Sequence, residues 1–469
     1  MKKTVVIISL LFLAFLASEA RTVTGKVISG KKKLSGVVVT DGKNFTQTRR
    51  NGTFSFEICD SADFVYIVTP SGYTADWSDG SPAFYRKAEG QSHFEFDLKF
   101  TGKPTDTYNI IAVGDPQPRS VDHFNEFAGT PLDDIRQCAA SMTDPTVAIV
   151  LGDICHDKYY LMQNWKDTMK SEAIPFYPVI GNHDHNRKFP GDDKASVSYE
   201  EAFGPANYAF FIGDDVVIVL DNIIYHSRSG YELGFTEQIL NWVRGLMKFV
   251  PAEADVYVAQ HASLNGRHYR GMIINHDVLL DILQGHKVTI MSGHNHTSGV
   301  FEYAPDVMEH NIAAICGTWW DVYHCTDGTP RGYKVFTKKK GELEWYYKSI
   351  SRDRDFQYEI YMPGQAPLNP GCVVVNVWDY DPKWSLEWYE DGKPMGSLTQ
   401  VEELSPLHAE SIRVKYEQLG KEPADYRLTR EAKHYFAAKP SAGAKTIQIV
   451  IKDRFGKEWT EEIKLNNIN

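Results

Sequence analysis

Five short polar clusters each follow on an apolar run, and this placement constrains the fold more than any other feature of the sequence. They are Gly114-Asp115-Pro116-Gln117 after Ile110 to Val113, Gly152 to Asp157 after Val147 to Leu151, Gly181-Asn182-His183-Asp184 after Phe176 to Ile180, Gln260-His261 after Val256 to Ala259, and Gly293-His294-Asn295-His296 after Val288 to Met291. With Val216 to Leu220, these runs alternate with helical stretches, of which Pro131 to Met142, Glu237 to Phe249 and His276 to Leu283 are the clearest. Apolar strands buried on both faces, with helices between them, describe a layered α/β core. Ligands of such proteins sit outside the carboxyl ends of the strands, so the five clusters are expected to converge on one site.

Singly, each cluster has a plain structural meaning. A Gly-Asp after a strand makes an Asx turn, and a histidine at a strand end is usually a satisfied structural residue. Two Asp, an Asn and three His, all at strand ends, have no such shared explanation. Imidazole, carboxylate and amide oxygen together suit divalent ions such as Zn, Fe and Mn. Two ions about 3.5 to 4 Å apart form the clamp used for phosphoryl displacement, and one carboxylate must then bridge them.

At this point the chain resembles the calcineurin-like metallophosphoesterase superfamily, whose motifs D-x-H/Q, GDxxx(D), GNH(D/E), H and GHxH occur in this order. The resemblance spans about Tyr108 to Tyr333 and implies a four-layer α/β/β/α sandwich. It implies two divalent metal ions, Mn, Fe or Zn. Asp115, Gln117, Asp153 and His296 would bind the first; Asp153, Asn182, His261 and His294 would bind the second. Asp153 is then the bridge, and a hydroxide between the ions attacks the phosphate ester. His183 would assist the leaving oxygen, work that suits an imidazole. Two departures stand out. Gln117 replaces the His of many members, a weaker ligand that favours Mn or Fe over Zn at the first position. His156, followed by Asp157, occupies the place of the Asp that orients the catalytic His in some members, so the partner of His183 stays open.

The flanking sequence divides the chain further. Residues 21–103 carry alternating segments such as Val23 to Val27 and Thr53 to Phe56 with Asp41-Gly42 and Asn51-Gly52 turns, the pattern of a small β-sandwich. A loop with Pro363, Pro367 and Pro370 follows the central unit of residues 104–350. Beyond it, residues 365–469 read as a second β-rich domain, with strands at Val373 to Val377 and Ile447 to Ile451 and a helix at Arg427 to Phe436. This order, together with Cys316-Gly317-Thr318-Trp319-Trp320 and Asp327 to Tyr333, is similar to bacterial exported three-domain members of the superfamily. Trp319, Trp320 and Arg331 are the candidate substrate wall: an aromatic pair that follows the apolar strand-like run Ile312 to Ile315, of which at most one faces the substrate while the other packs, and a loop cation for a second phosphate or carboxylate.

Residues 1–20 have the charged, apolar and small-residue regions of a secretory signal. The apolar run is shorter than the roughly 20 residues of a membrane span, and no second run approaches that length, so a secreted or periplasmic protein is expected. The net charge of −11 becomes −12 without the two lysines and one glutamate of that segment, which disfavours a nucleic-acid partner. A small phosphorylated substrate, free or linked to a glycan or lipid, remains compatible. Of six scattered cysteines only Cys316 and Cys325 are close enough in sequence to suggest a disulfide. A different class of function stays in view: a cell-surface glycan-binding protein with a degenerate phosphoesterase domain, using Trp378, Tyr380, Trp384 and Trp388 as a platform. An aromatic β core is the plainer meaning of that cluster, and a relic should have lost ligands.

Overall fold

A computed structural model describes residues 20–189, 191–226 and 230–465. The expected export signal lies outside them, apart from Ala20, which opens the strand Ala20–Ser29. The N-terminal part holds two four-stranded sheets, one around Ala20–Ser29 with Thr53–Cys59 and His93–Asp97, the other around Val38–Thr40 and Phe64–Ile67. His93–Asp97 alternates as the sequence does: Phe94 and Phe96 are buried and their neighbours exposed.

The central part is two sheets face to face. The first orders Phe176–Pro178, Thr146–Val150, Thr107–Val113, Gly332–Lys339 and Glu342–Ser349; the second orders Tyr208–Ile212, Asp215–Leu220, Val256–Gln260, Val288–Ser292, Val307–Asn311 and Gly299–Ala304. Rings from both sheets meet between them: Tyr177 stacks on Phe210 at 3.9 Å, and the Tyr108 hydroxyl donates to that of Tyr257 at 3.0 Å. Helices cover the outer faces. Trp165 of Leu161–Met169 stacks on Phe127 of Val121–Ala128 at 5.1 Å. Glu237–Met247, begun by Thr236 accepting from the Ile239 amide, buries Leu240, Trp242, Val243 and Leu246. Phe45 of the N-terminal part lies against Trp242 and Phe249.

Register aligns the strand ends. Thr107–Val113, Thr146–Val150 and Phe176–Pro178 are mutually parallel with Val113 beside Val150 and Val150 beside Pro178. In the other sheet Leu220 lies beside Gln260, and Ala259 beside Met291, again in parallel. Parallel strands in register deliver their following residues to one edge, which is where the five clusters lie.

The C-terminal part has two four-stranded sheets, one with Val373–Val377 beside Ala432–Ala438, the other with Ser385–Glu390 beside Thr446–Lys452. Its helix is not at Arg427 to Phe436. That segment holds one 3-10 turn, Asp425–Arg427, and the strand Ala432–Ala438. The helix is Pro406–Leu419, capped by Ser405 and ended by Gly420 at φ 59°. It buries only His408, Ile412 and Tyr416, so its apolar stripe is too thin to stand out in sequence. Trp378 and Trp388 are buried, Tyr380 packs on Phe436, and Trp384 stacks on Trp459 at 5.8 Å; the aromatic cluster is part of the sandwich. Cys316 and Cys325 are buried free thiols, not a disulfide.

Glycines at the strand ends are required by crowding. A Cβ on Gly181 would overlap the backbone nitrogen and Oδ1 of Asp153, and one on Gly152, already at φ 87°, would overlap the His261 ring. Gly181→Ala is expected to cost about 1 to 3 kcal/mol as an overpacking change, a fall of roughly 2 to 12 °C in melting midpoint for a unit of this size. Gly371, where an added Cβ meets nothing within 4 Å, serves as the control. Equal midpoints for the two variants would show that the strand ends are not packed as described.

Candidate metal centre

The seven candidate ligands reach the same place from five loops, one after each of the five strands. Asp115, Gln117, Asp153, Asn182, His261 and His296 are buried and His294 half-buried. The Asp153 carboxylate accepts from Gln117 Nε2 at 2.6 Å and from the His183 backbone N–H at 2.9 Å, and lies 3.4 Å from His261 Nε2. His261 Nε2 is 3.0 Å from Asn182 Oδ1 and 3.1 Å from His294 Nδ1. Asp115 accepts from the His294 backbone N–H at 2.9 Å and stands 3.4 Å from His296 Nε2.

Backbone strain marks the same residues. Asp115, Gln117, Asp153, His294 and His296 all have left-handed backbone, φ 42° to 68°, a conformation that non-glycine residues hold only when the surroundings impose it and that clusters at functional sites. The strand-to-loop turns thus aim the side chains inward at an energetic cost of order 1 kcal/mol each.

The donor set fits divalent metal. His261 Nδ1 donates to the Leu151 carbonyl at 2.7 Å, which leaves Nε2 as a lone pair, the arrangement that fixes metal-binding imidazoles. Burial, then the neighbouring His261 and Arg267, push the pKa of His294 well below its usual value, so this ring is also a neutral donor. Gln117 Oε1 and His294 Nε2 are buried without a protein hydrogen-bond partner, although buried polar atoms are rarely left so. Asp115, Asp153 and His261 offer ligand atoms all within 4.8 Å of one another. Two buried carboxylates this close together are mutually repulsive until a cation joins them.

A second close group, His156, Asp157 and His183, is built differently. The His156 and His183 rings stack at 3.9 Å, which directs their in-plane lone pairs past each other, and Asp157 Oδ1 takes His183 Nδ1 at 3.0 Å. Asp157 is therefore the partner of His183 that the motif left open. Arg187 pairs with Asp157 at 3.3 Å. Burial, then the charges of His183 and Arg119, bring the pKa of His156 down to about 3, so it stacks as a neutral ring.

The sequence reading passed over residues that hold these loops. Asp184 accepts from the amides of Gly181, Ile154 and Cys155 at 2.8 to 3.1 Å, tying the second and third clusters together. Burial and the adjacent Asp153 carboxylate raise its pKa to about 7. His185 bridges the Gly181 carbonyl, at 2.8 Å, to Asp221 at 3.1 Å. Asp221-Asn222 follows the apolar run Val216 to Leu220, so the rule that selected the other clusters applied to it as well.

The candidate wall divides. Trp319 and Trp320 are not on a strand: both are left-handed, φ 49° and 68°, and Ile312 to Ile315 contributes only a bridge from Ala314 to Gly114. Trp319 stacks on His296 at 4.6 Å. Trp320 is buried and donates to the Pro116 carbonyl at 2.9 Å. Arg331 is buried rather than an exposed loop cation. It pairs with Glu126 at 3.0 Å and lies 3.8 Å from the Tyr323 ring, so its charge is already matched.

Family comparisons cover the chain in three consecutive parts. A model of the N terminal of calcineurin-like phosphoesterase matches residues 21–103, the calcineurin-like phosphoesterase model matches residues 108–298, and a model of the C terminal of calcineurin-like phosphoesterase matches residues 309–459. Among solved structures, a dimetal phosphatase from Danio rerio is 14% identical with a TM-score of 0.34, over 53% of this chain and 100% of that one. A 5'-nucleotidase from Candida albicans is 11% identical with a TM-score of 0.32, over 51% of this chain and 50% of that one. A phosphopantetheinyl hydrolase from Mycobacterium tuberculosis is 11% identical with a TM-score of 0.30, over 44% and 89%. No curated protein matches the sequence. With all three models matched in order, the chain belongs to the calcineurin-like phosphoesterases and is a metal-dependent phosphoester hydrolase.

Proposed function

We propose that this is an exported phosphoesterase that hydrolyses a small phosphate monoester or diester by attack of water, with His183 assisting departure of the leaving oxygen. The observation that supports the reading is the meeting of seven candidate ligand side chains, six of them buried, at one place, with His183 held beside it by both its backbone and its ring. Asp115, Gln117, Asp153 and His296 would hold one ion, and Asp153, Asn182, His261 and His294 the other. Such ions, when bound, polarise the phosphoryl oxygens and make a coordinated water more acidic.

The remaining work falls to the protein's own groups. The His183 backbone N–H donates to Asp153, so the ring keeps a fixed place relative to the ligand set. Asp157 holds Nδ1, which leaves Nε2 to pass a proton to the leaving oxygen. The stacked His156 ring blocks rotation about the His183 side chain. The Tyr225 hydroxyl donates to the Asn182 carbonyl at 2.9 Å and anchors the loop that carries both. Gln117, an amide in place of an imidazole, suits Mn or Fe better than Zn. Among the described residues no helix is long and apolar enough to cross a membrane; the signal-like residues 1–20 are the support for export.

Asp153→Ala removes the shared carboxylate. It is expected to abolish hydrolysis and to bring metal content, measured by elemental analysis, well below wild type. A fully active variant would sink the two-ion reading.

His183→Ala is expected to retain its metal while losing roughly 10²- to 10⁴-fold in rate, as for a general acid, and less with 4-nitrophenyl esters, whose leaving group needs little protonation. Asp157→Asn should change rates in the same leaving-group-dependent way but by less. If both variants lost rate uniformly across leaving groups, His183 would be positioning the phosphate instead.

A further inference from the structure

Two segments far apart in sequence are joined to the ligand loop. Asn295, between His294 and His296, accepts from the His268 backbone N–H at 2.7 Å and donates to the Gly266 carbonyl at 3.1 Å. His268, itself left-handed at φ 54°, has its ring 2.9 to 3.1 Å from Arg430 Nη1. Four residues before Arg430, the Tyr426 ring meets Trp319 edge-on at 5.0 Å, and Trp319 stacks on His296. The C-terminal segment is held there independently: the Arg430 backbone N–H donates to the Thr326 carbonyl at 2.8 Å, and Asp327 Oδ2 accepts from the Ser298 backbone N–H at 2.8 Å while standing 3.2 Å from His434 Nε2.

The charges on this rim do not balance. Among the described residues Arg267, Arg270 and Arg430 form no ion pair with a carboxylate, and Arg430 Nη1 meets the His268 ring instead, in a chain with 61 acidic residues against 50 basic ones. Burial, then the charges of Arg267 and Arg270, push the Arg430 pKa down. Burial and Arg430 bring that of His268 down to about 4, so its ring stays neutral and takes the Arg430 N–H. Guanidinium groups gathered without acids are mutually repulsive, and a bound anion relieves the repulsion.

We propose that Arg430 and Arg267 form a subsite for a second anionic group, a phosphate or a carboxylate, on the non-scissile part of the substrate, and that Trp319 and Tyr426 form the adjoining aromatic corner for a ring of the same molecule. The inference rests on the phosphoesterase reading above. It gives the C-terminal β-rich part a direct share in specificity, and it moves the cation role from Arg331, which Glu126 already satisfies, to Arg430 and Arg267.

The test uses the metal-loaded full chain with 4-nitrophenyl phosphate and two matched pairs: glucose 6-phosphate with glucose 1,6-bisphosphate, and adenosine 5'-monophosphate with adenosine 3',5'-bisphosphate. In at least one pair, wild-type kcat/KM should be tenfold or more higher for the doubly anionic member. Arg430→Gln and Arg267→Gln should each reduce that ratio to near one, and Tyr426→Ala should lower kcat/KM for the ring-bearing pair with metal content preserved. Arg267 is exposed, so its variant separates recognition from folding. No wild-type preference in either pair, or ratios unchanged in both arginine variants, would overturn the subsite. A wild type inactive on every ester, 4-nitrophenyl phosphate included, would sink the phosphoesterase reading and this inference with it.

Discussion

Burial of the Asp153 carboxylate ties the active edge of the molecule together. It takes the Gln117 amide from the first cluster and the His183 backbone N–H from the third, and faces His261 from the fourth. Its backbone carbonyl accepts from the Gln117 backbone N–H at 2.8 Å. A charge buried to this degree is tolerated only when it is matched by hydrogen bonds and a counter-ion. The hydrogen bonds come from two neighbouring loops, and in the proposed centre a divalent metal would supply the charge. The same arrangement explains why glycine precedes Asp153, Asn182 and His294: side chains from neighbouring strands fill the space that a Cβ would occupy.

The two sheets provide the rigidity that such a centre needs. Their parallel registers bring the ligand loops to one edge, while buried aromatics and the Lys338 pairing with Asp215, at 3.6 Å, and with Asp255 join the sheets elsewhere. Side chains that must meet within a few tenths of an ångström are best carried by strands that cannot slide. The strain sits in the turns that follow those strands, where five of the candidate ligands hold left-handed backbone.

Much of this was legible in the sequence, because strand burial and ligand chemistry are local properties. The apolar runs at Val256 to Ala259 and Val288 to Met291 lie inside strands with nearly those limits, and the polar clusters after them lie at the common edge. Contacts that depend on tertiary placement were not legible. Asp157 is one residue from the position expected to orient His183, and its role follows from a turn at φ 55°. Trp319 meets His296 through a left-handed turn, not through strand alternation. The Pro406–Leu419 helix was hidden because its buried residues lie four apart on a narrow stripe. Arg430 and Tyr426 carried no signal at all, since only the docking of the C-terminal part brings them to the site.

A crystal structure of metal-loaded protein, with anomalous scattering recorded at the metal edge, tests the central claim most directly. Two peaks about 3.5 to 4 Å apart, both within coordination distance of Asp153 and flanked by Asp115, Gln117 and His296 on one side and Asn182, His261 and His294 on the other, are the predicted result. A single peak, or a peak held by His156, Asp157 and His183, would contradict it.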